Sequence, residues 1–306
     1  MLDKGDHRLI NTMFAAYDDE VSQKIIALIS SEGDILGSQY STRFNDLKKA
    51  AISLKKFDYA VDKSLEDYNK AVFLTLTTDP KRFPNLWEAN RSFSKSWNKF
   101  LSFITKRLGH RPKYITAFEY TKSGLMHCHA VIFVEYLIDV REISKAWSDI
   151  GQATHVYIYA LHNQFARGGK KRQWLWLKSR PKDPKTGRPI KTKSGTDYLK
   201  KYLKKATLAM VATEWKDKNG TIRTTDKYDI QSLYWAFNKR FWTSSRCFLP
   251  DKDDEIEEES PITYAFYAVL DKDMAAEIVD EMIYYRGGEY PDYDSDGYDP
   301  PPGVPA

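Results

Sequence analysis

Apolar positions fall at three- and four-residue spacing in the first part of the chain and shift to short runs and alternation further on. EVSQKIIALISS (20–31) and RFNDLKKAAISLKKFDYAVDKSLEDY (43–68) carry the helical spacing, which predicts amphipathic helices and makes 1–69 a helical N-terminal extension. Such helices are expected to cap the following domain or to contact a partner. From residue 70 the pattern is mixed. AVFLTLTT (71–78), KYITAFEY (113–120), MHCHAVIFV (126–134) and THVYIYAL (154–161) read as strands. LWEANRSFSKSWNKFLSFITKRL (86–108), VREISKAWSDI (140–150) and the stretch from about Ser194 read as helices. The order βαββαβα predicts an α+β fold, an antiparallel β-sheet of split βαβ, ferredoxin-like type with helices on one face.

Two of these elements carry candidate chemistry. On a strand, His127 and His129 project from the same face while Cys128 points the other way. Glu119 stands one hairpin turn upstream, so antiparallel pairing of 113–120 with 126–133 brings its carboxylate beside the imidazoles. Two histidines and a carboxylate leave coordination positions open and suit Mg2+ or Mn2+. Paired histidines also occur without metal, and a closed zinc cage lacks a visible fourth ligand because Cys128 faces away. In YLKKYLKK (198–205), Tyr198 and Tyr202 are four apart and share a helix face, which makes them candidate nucleophiles or, alternatively, the flank of a core face. A phenol with an ordinary pKa of about 10 needs nearby positive charge to attack at neutral pH. Lys201 and Lys205 each follow a tyrosine by three positions and are placed to steady a phenolate or a transition-state phosphate, or to hold a nucleic-acid backbone.

Charge sharpens this picture. The formal net charge of the 306 residues is +5. Residues 1–250 hold 44 Lys and Arg against 25 Asp and Glu, net +19, whereas 251–306 hold 3 against 17, net −14. Within 163–205 stand 15 Lys and Arg and two acids, Asp183 and Asp197, a field that draws a polyanion. The Gly-, Pro- and Lys-rich stretch 163–193 is a basic insertion, longer than an ordinary connection. Lys170, Lys171, Arg172, Trp174, Trp176, Lys200 and Lys204 are the candidate nucleic-acid contacts, because bases stack on rings while phosphates meet cations. Packing of both tryptophans into the core is the equally weighted alternative. From Asp251 an acidic run leads to one helix (272–285) and then to YPDYDSDGYDPPPGVPA, whose few apolar residues predict disorder. No apolar run approaches a membrane span and the start lacks a signal pattern, so a cytoplasmic protein with reduced thiols is expected. No GxxxxGK[ST] phosphate loop occurs, which argues against an attached helicase motor.

The succession of FLTLTTDP (73–80), a His-hydrophobe-His strand and a YxxKY helix resembles the HUH endonucleases that initiate rolling-circle replication, most of all their double-tyrosine branch. The resemblance covers roughly 70–250, and YWAFNKRFWTSSRCF (234–248) is similar to the end of such domains; the central triplet position, usually a bulky hydrophobe, is Cys128. It implies a catalytic domain over 70–250, with His127, His129 and Glu119 as metal ligands and Tyr198 and Tyr202 as nucleophiles. The activity implied is nicking and rejoining of single-stranded origin DNA through a 5′-phosphotyrosine and a free 3′-OH. The implied partners are origin DNA and a host helicase and polymerase, for a protein encoded by a plasmid or virus. A transposase or relaxase on the same metal site is the nearest alternative. Relaxases carry their tyrosine before the histidines, and here it follows. A non-catalytic single-stranded nucleic-acid binding protein is the alternative from another class.

Overall fold

The computed structural model describes residues 4–250, apart from 122, 135–138, 154–155, 167, 183–185, 193, 209–213, 217–221 and 225–227, and then 264–279 and 281–282. The chain opens with α1 (Lys4–Ser22), β1 (Lys24–Ser30), β2 (Ile35–Gln39) and α2 (Leu47–Asp67). There follow β3 (Lys70–Leu76), α3 (Leu86–Leu108), β4 (Lys113–Tyr120), β5 (Met126–Phe133), α4 (Val140–Asp149), β6 (Val156–Phe165), β7 (Arg172–Trp176) and α5 (Gly195–Leu208). The remainder is a short hairpin β8 (Glu214–Lys216) and β9 (Ile222–Thr224), α6 (Tyr228–Ala236), β10 (Trp242–Ser244), β11 (Tyr264–Asp271), α7 (Lys272–Ile278) and β12 (Glu281–Met282).

The main sheet runs β10-β4-β5-β3-β6-β7 with every neighbouring pair antiparallel. This is the α+β sheet that the βαββαβα order predicts. Its centre is β3, whose AVFL run is buried throughout and therefore faces apolar neighbours on both sides. A helix layer on one face only would leave half of that surface wet, and the structure corrects the one-sided expectation. Phe118 of β4, the register partner of Cys128, packs on Phe93 of α3 with ring centroids 6.4 Å apart, and Phe93 in turn meets Trp147 of α4 at 5.6 Å. One residue along each strand the side chains point the opposite way, and there His129 lies under Tyr202 of α5 while Trp174 reaches Ser64 of α2. Helices α3 and α4 cover one face, α2 and α5 the other.

Local signals set the helix limits. Asn85 accepts from the Glu88 N–H at 2.8 Å to start α3, and Gly109, in the left-handed region at φ 77°, ends it. Ser194 starts α5 by accepting from the Asp197 N–H at 3.2 Å.

The N-terminal residues depart from the wholly helical expectation. Residues 20–31 do not form one helix: α1 stops at Ser22 and KIIALIS becomes β1, paired antiparallel with both β2 and β11. Its isoleucines suit a strand as well as a helix, and two partner strands decide the matter. Together with β12 they form a second sheet, β11-β1-β2-β12, with its own small core of Ile25, Ala27, Leu270 and Ala275. Strand β11 was not legible in the acidic region, and the helix expected over 272–285 stops at Ile278. The acidic run 251–260 and the segment from 283 onward, where disorder is expected, lie outside the described residues. Ile10 and Phe14 of α1 and Leu54, Phe57 and Ala60 of α2 share one core with the main sheet.

Candidate metal centre and tyrosine pair

The β4–β5 hairpin builds the site. Register pairs Glu119 with His127 and Ala117 with His129, so all these side chains leave the sheet on the α5 face. The turn is closed by Thr121, whose N–H donates to the Leu125 carbonyl at 2.9 Å and whose hydroxyl oxygen accepts from the Leu125 N–H at 3.1 Å. Gly124 takes φ +77°, a conformation that disfavours a side chain, and a Cβ there would press on Leu86 at 3.2 Å.

Three ligand atoms converge. Glu119 Oε2 lies 3.0 Å from His127 Nε2 and 3.3 Å from His129 Nε2, and one atom from each residue falls within 4.8 Å of the others. Thr75 of β3, the register partner of His129, places its Oγ1 3.0 Å from His129 Nδ1. In the tautomer that carries the proton on Nδ1, Thr75 accepts it and Nε2 turns a lone pair towards a carboxylate oxygen. Two acceptors at that distance repel unless a positive charge sits between them. Two imidazoles and a carboxylate with a histidine oriented from behind can hold a divalent cation, and an open side suits a metal that keeps exchangeable ligands. The predicted trio Glu119, His127 and His129 is thus brought together by the fold.

The tyrosines of α5 close over this cluster. The Tyr202 ring stacks on His129 with centroids 4.0 Å apart and planes at 10°, and its hydroxyl donates to Tyr198 Oη at 2.5 Å. Tyr198 packs against Phe73 and Trp176. Burial first, then the fields of Tyr198 and Glu119 and the bond it donates, raise the Tyr202 phenol well above its ordinary value. Helix α5 reaches this position because its first residue is glycine. A Cβ on Gly195 would lie 2.7 Å from Cδ2 of Leu161, itself buried in β6.

The other predicted contacts divide. Lys170, Lys171 and Arg172 are exposed at the tip of the β6–β7 hairpin, so the first half of the basic insertion is sheet. Beside them Phe165 is 57% exposed, with the Arg172 guanidinium 5.4 Å from its ring, an aromatic that sequence reading missed although it opens the basic stretch. Trp174 is corrected: at 0% exposure, with its indole N–H donating to Ser64 Oγ at 3.0 Å, its ring cannot receive a base. Trp176 is half-buried against Phe73, Tyr159 and Tyr198, and its N–H donates to the Thr192 carbonyl. Lys200 ties α5 to α2 through Asp58 at 2.6 Å. Lys201 and Lys204 are half-buried on α5, and the side chain of Lys205 lies outside the described residues. Sequence reading also missed Asn90, fully buried in α3, which donates to the Gly124 carbonyl at 2.8 Å and accepts from the Met126 N–H at 2.9 Å. The only local hint was a polar residue on the apolar face of a helix.

Fold and side chains together define an α+β domain with a metal-competent Glu–His–His cluster under a helix bearing paired tyrosines. Residues 71–207, from β3 to the end of α5, match the family of replication-associated proteins of the ORF2 type, and this part of the chain is a domain of that family. The chain is also similar to Uncharacterized protein 1 of Halorubrum pleomorphic virus 1, 27% identical over 263 residues that cover 79% of this chain and 49% of the relative. It therefore spans about half the length of that curated relative. No solved structure matches it. Among the described residues, no helix is long and apolar enough to cross a membrane.

Proposed function

We propose that this protein initiates rolling-circle DNA replication as an HUH endonuclease of the double-tyrosine type, nicking and rejoining a single strand at an origin. The observation that carries this reading is the contact of two hydrogen-bonded phenols with a Glu–His–His cluster, Tyr202 stacking on His129 itself. A Mg2+ or Mn2+ ion held by Glu119, His127 and His129 would supply Lewis-acid polarisation of the scissile phosphate. The chain's own residues do the rest. A tyrosine Oη bonds to phosphorus as the P–O3′ bond breaks, which leaves a 5′-phosphotyrosine and a 3′ oxygen that takes up, in net terms, the proton the phenol gives. One phosphodiester replaces another, so the joining step needs no ATP. Because Tyr202 donates to Tyr198, loss of the Tyr198 proton leaves a phenolate that keeps an O–H donor. Tyr198 is accordingly the first nucleophile and Tyr202 the second.

Lys170, Lys171 and Arg172 with Phe165 at the hairpin tip grip the strand, and Lys201 and Lys204 meet its backbone along α5. The freed 3′-OH calls for a host polymerase and the displaced strand for a host helicase, in the cytoplasm of the infected or plasmid-bearing cell.

The test is a denaturing-gel assay with labelled single-stranded origin DNA, with Mn2+ or Mg2+ and with EDTA. The expected product is a metal-dependent nick with protein attached to the 5′ end, absent from the Tyr198→Phe/Tyr202→Phe double variant. Unchanged cleavage by that variant would overturn the proposal. Salt-sensitive binding with no cleavage across the whole origin would favour a binding protein.

A further inference from the structure

A second cationic feature lies away from the tyrosines. Where the start of α2 meets the edge strand β10, a cavity of about 300 Å3 is lined by Arg43, Lys49, Lys56 and Arg240 and by no carboxylate. Two of these cations are held in place by neutral groups. An Arg43 N–H donates to the Tyr234 carbonyl at 3.4 Å, and its guanidinium lies 4.7 Å from the Phe44 ring centroid. The Lys49 ammonium donates to the Ser41 carbonyl at 2.7 Å. A carbonyl positions a cation without neutralising it, so the charge stays available to an anion. Burial foremost pulls the Arg43 guanidinium below its ordinary value; Tyr17 opposes this and the like charge of Arg240 adds to it. Ser53 Oγ accepts from the Trp242 indole N–H at 2.9 Å, which leaves its own proton to donate.

Register fixes where this cavity stands. Trp242 pairs with Ala117, and Ala117 with His129, so the Trp242 side chain leaves the same sheet face as the histidines. Two strand spacings separate them, about 10 Å. A cluster of fixed cations with hydroxyl donors, at that distance from a phosphodiester-handling site, fits a further phosphate of the same strand.

We infer that this cavity is a second binding site, which anchors a backbone phosphate of single-stranded DNA through Arg43, Lys56 and Arg240 while a neighbouring nucleotide lies at the Glu–His–His cluster. The choice of DNA as the source of the phosphate rests on the proposed function; the anion chemistry of the cavity does not.

The experiment reads binding without cleavage. Fluorescence anisotropy with a fluorescein-labelled oligothymidylate of about 12 nucleotides, in EDTA, compares wild type with Arg240→Glu and Lys56→Gln. Lys95→Glu, exposed on α3 across the sheet, is the control for a general change of charge. Each cavity variant, folded by its thermal unfolding curve, should bind about tenfold more weakly. The plot of log K against log salt should flatten by about 0.7 per lost contact. Equal effects of Arg240→Glu and Lys95→Glu, or no effect of either cavity variant, would overturn the site. Thymidine 5′-monophosphate binding that Arg240→Glu removes while oligonucleotide affinity stays would overturn the assignment to a strand. Because no step needs metal, a protein that fails to nick can still show this site, and one that nicks can still lack it.

Discussion

His129 is the residue on which the candidate site turns, because each side of its ring has a separate task. It is buried at 4% exposure; Nδ1 meets Thr75, Nε2 meets Glu119 and the ring face carries Tyr202. A histidine held from behind presents its other nitrogen in one direction, and removal of such a support typically weakens metal binding about 10- to 100-fold. Thr75→Val keeps the shape of the β3 side chain and deletes its oxygen. Isothermal titration with Mn2+ should show affinity lower by about that factor, and wild-type affinity in this variant would mean that Thr75 does not orient the ring. Between the histidines, Cys128 is fully buried on the α3 face and its thiol is raised by burial, so it packs as a small apolar residue rather than serving as a ligand.

At the scale of elements, the β4–β5 hairpin and helix α3 act as one part. Asn90 satisfies a carbonyl and an N–H of the turn region at once, and both bonds are buried. Replacing it with alanine strands two buried backbone groups at a cost of about 1–3 kcal/mol each. Asn90→Ala is therefore expected to lower the Tm by several degrees and to weaken Mn2+ binding, since the turn sets the register of Glu119 against His127. Calorimetry beside a metal titration checks both, and a variant with unchanged Tm would show that the turn holds its register alone. Helix α5 depends on a different device, the closeness of Gly195 to Leu161, which puts Tyr198 and Tyr202 over the sheet rather than beside it.

Over the whole molecule, the chain's two ends meet in the second sheet. Strand β1 is flanked by β2 and β11, and its Ile25 and Ala27 are buried with Leu270 of β11 and Ala275 of α7. Deleting residues 251–306 would remove the acidic net −14 but also β11, turning β1 into an open edge beside uncovered apolar side chains. The truncated protein should lose thermal stability and self-associate, as read by light scattering; a monodisperse product with wild-type Tm would show β11 to be dispensable. The sequence by itself determined the parts of this protein that rest on local periodicity. Alternation in 113–120 and 126–133 put His127 and His129 on one face, and a short turn between those strands left Glu119 eight residues from His127, within a hairpin's reach. The 3.6-residue repeat likewise put Tyr198 and Tyr202 on one side of α5. Tertiary structure alone decided what depends on distant segments: Thr75 behind His129, 54 residues away; Trp242 bonded to Ser53, 189 residues away; and β11 beside β1. It also decided that Trp174 is core, since a ring on a strand faces solvent or protein according to what packs above it. Side-chain spacing is a property of the backbone and can be read along the chain, whereas burial and long-range pairing are chosen by competition among all segments for the same apolar surface.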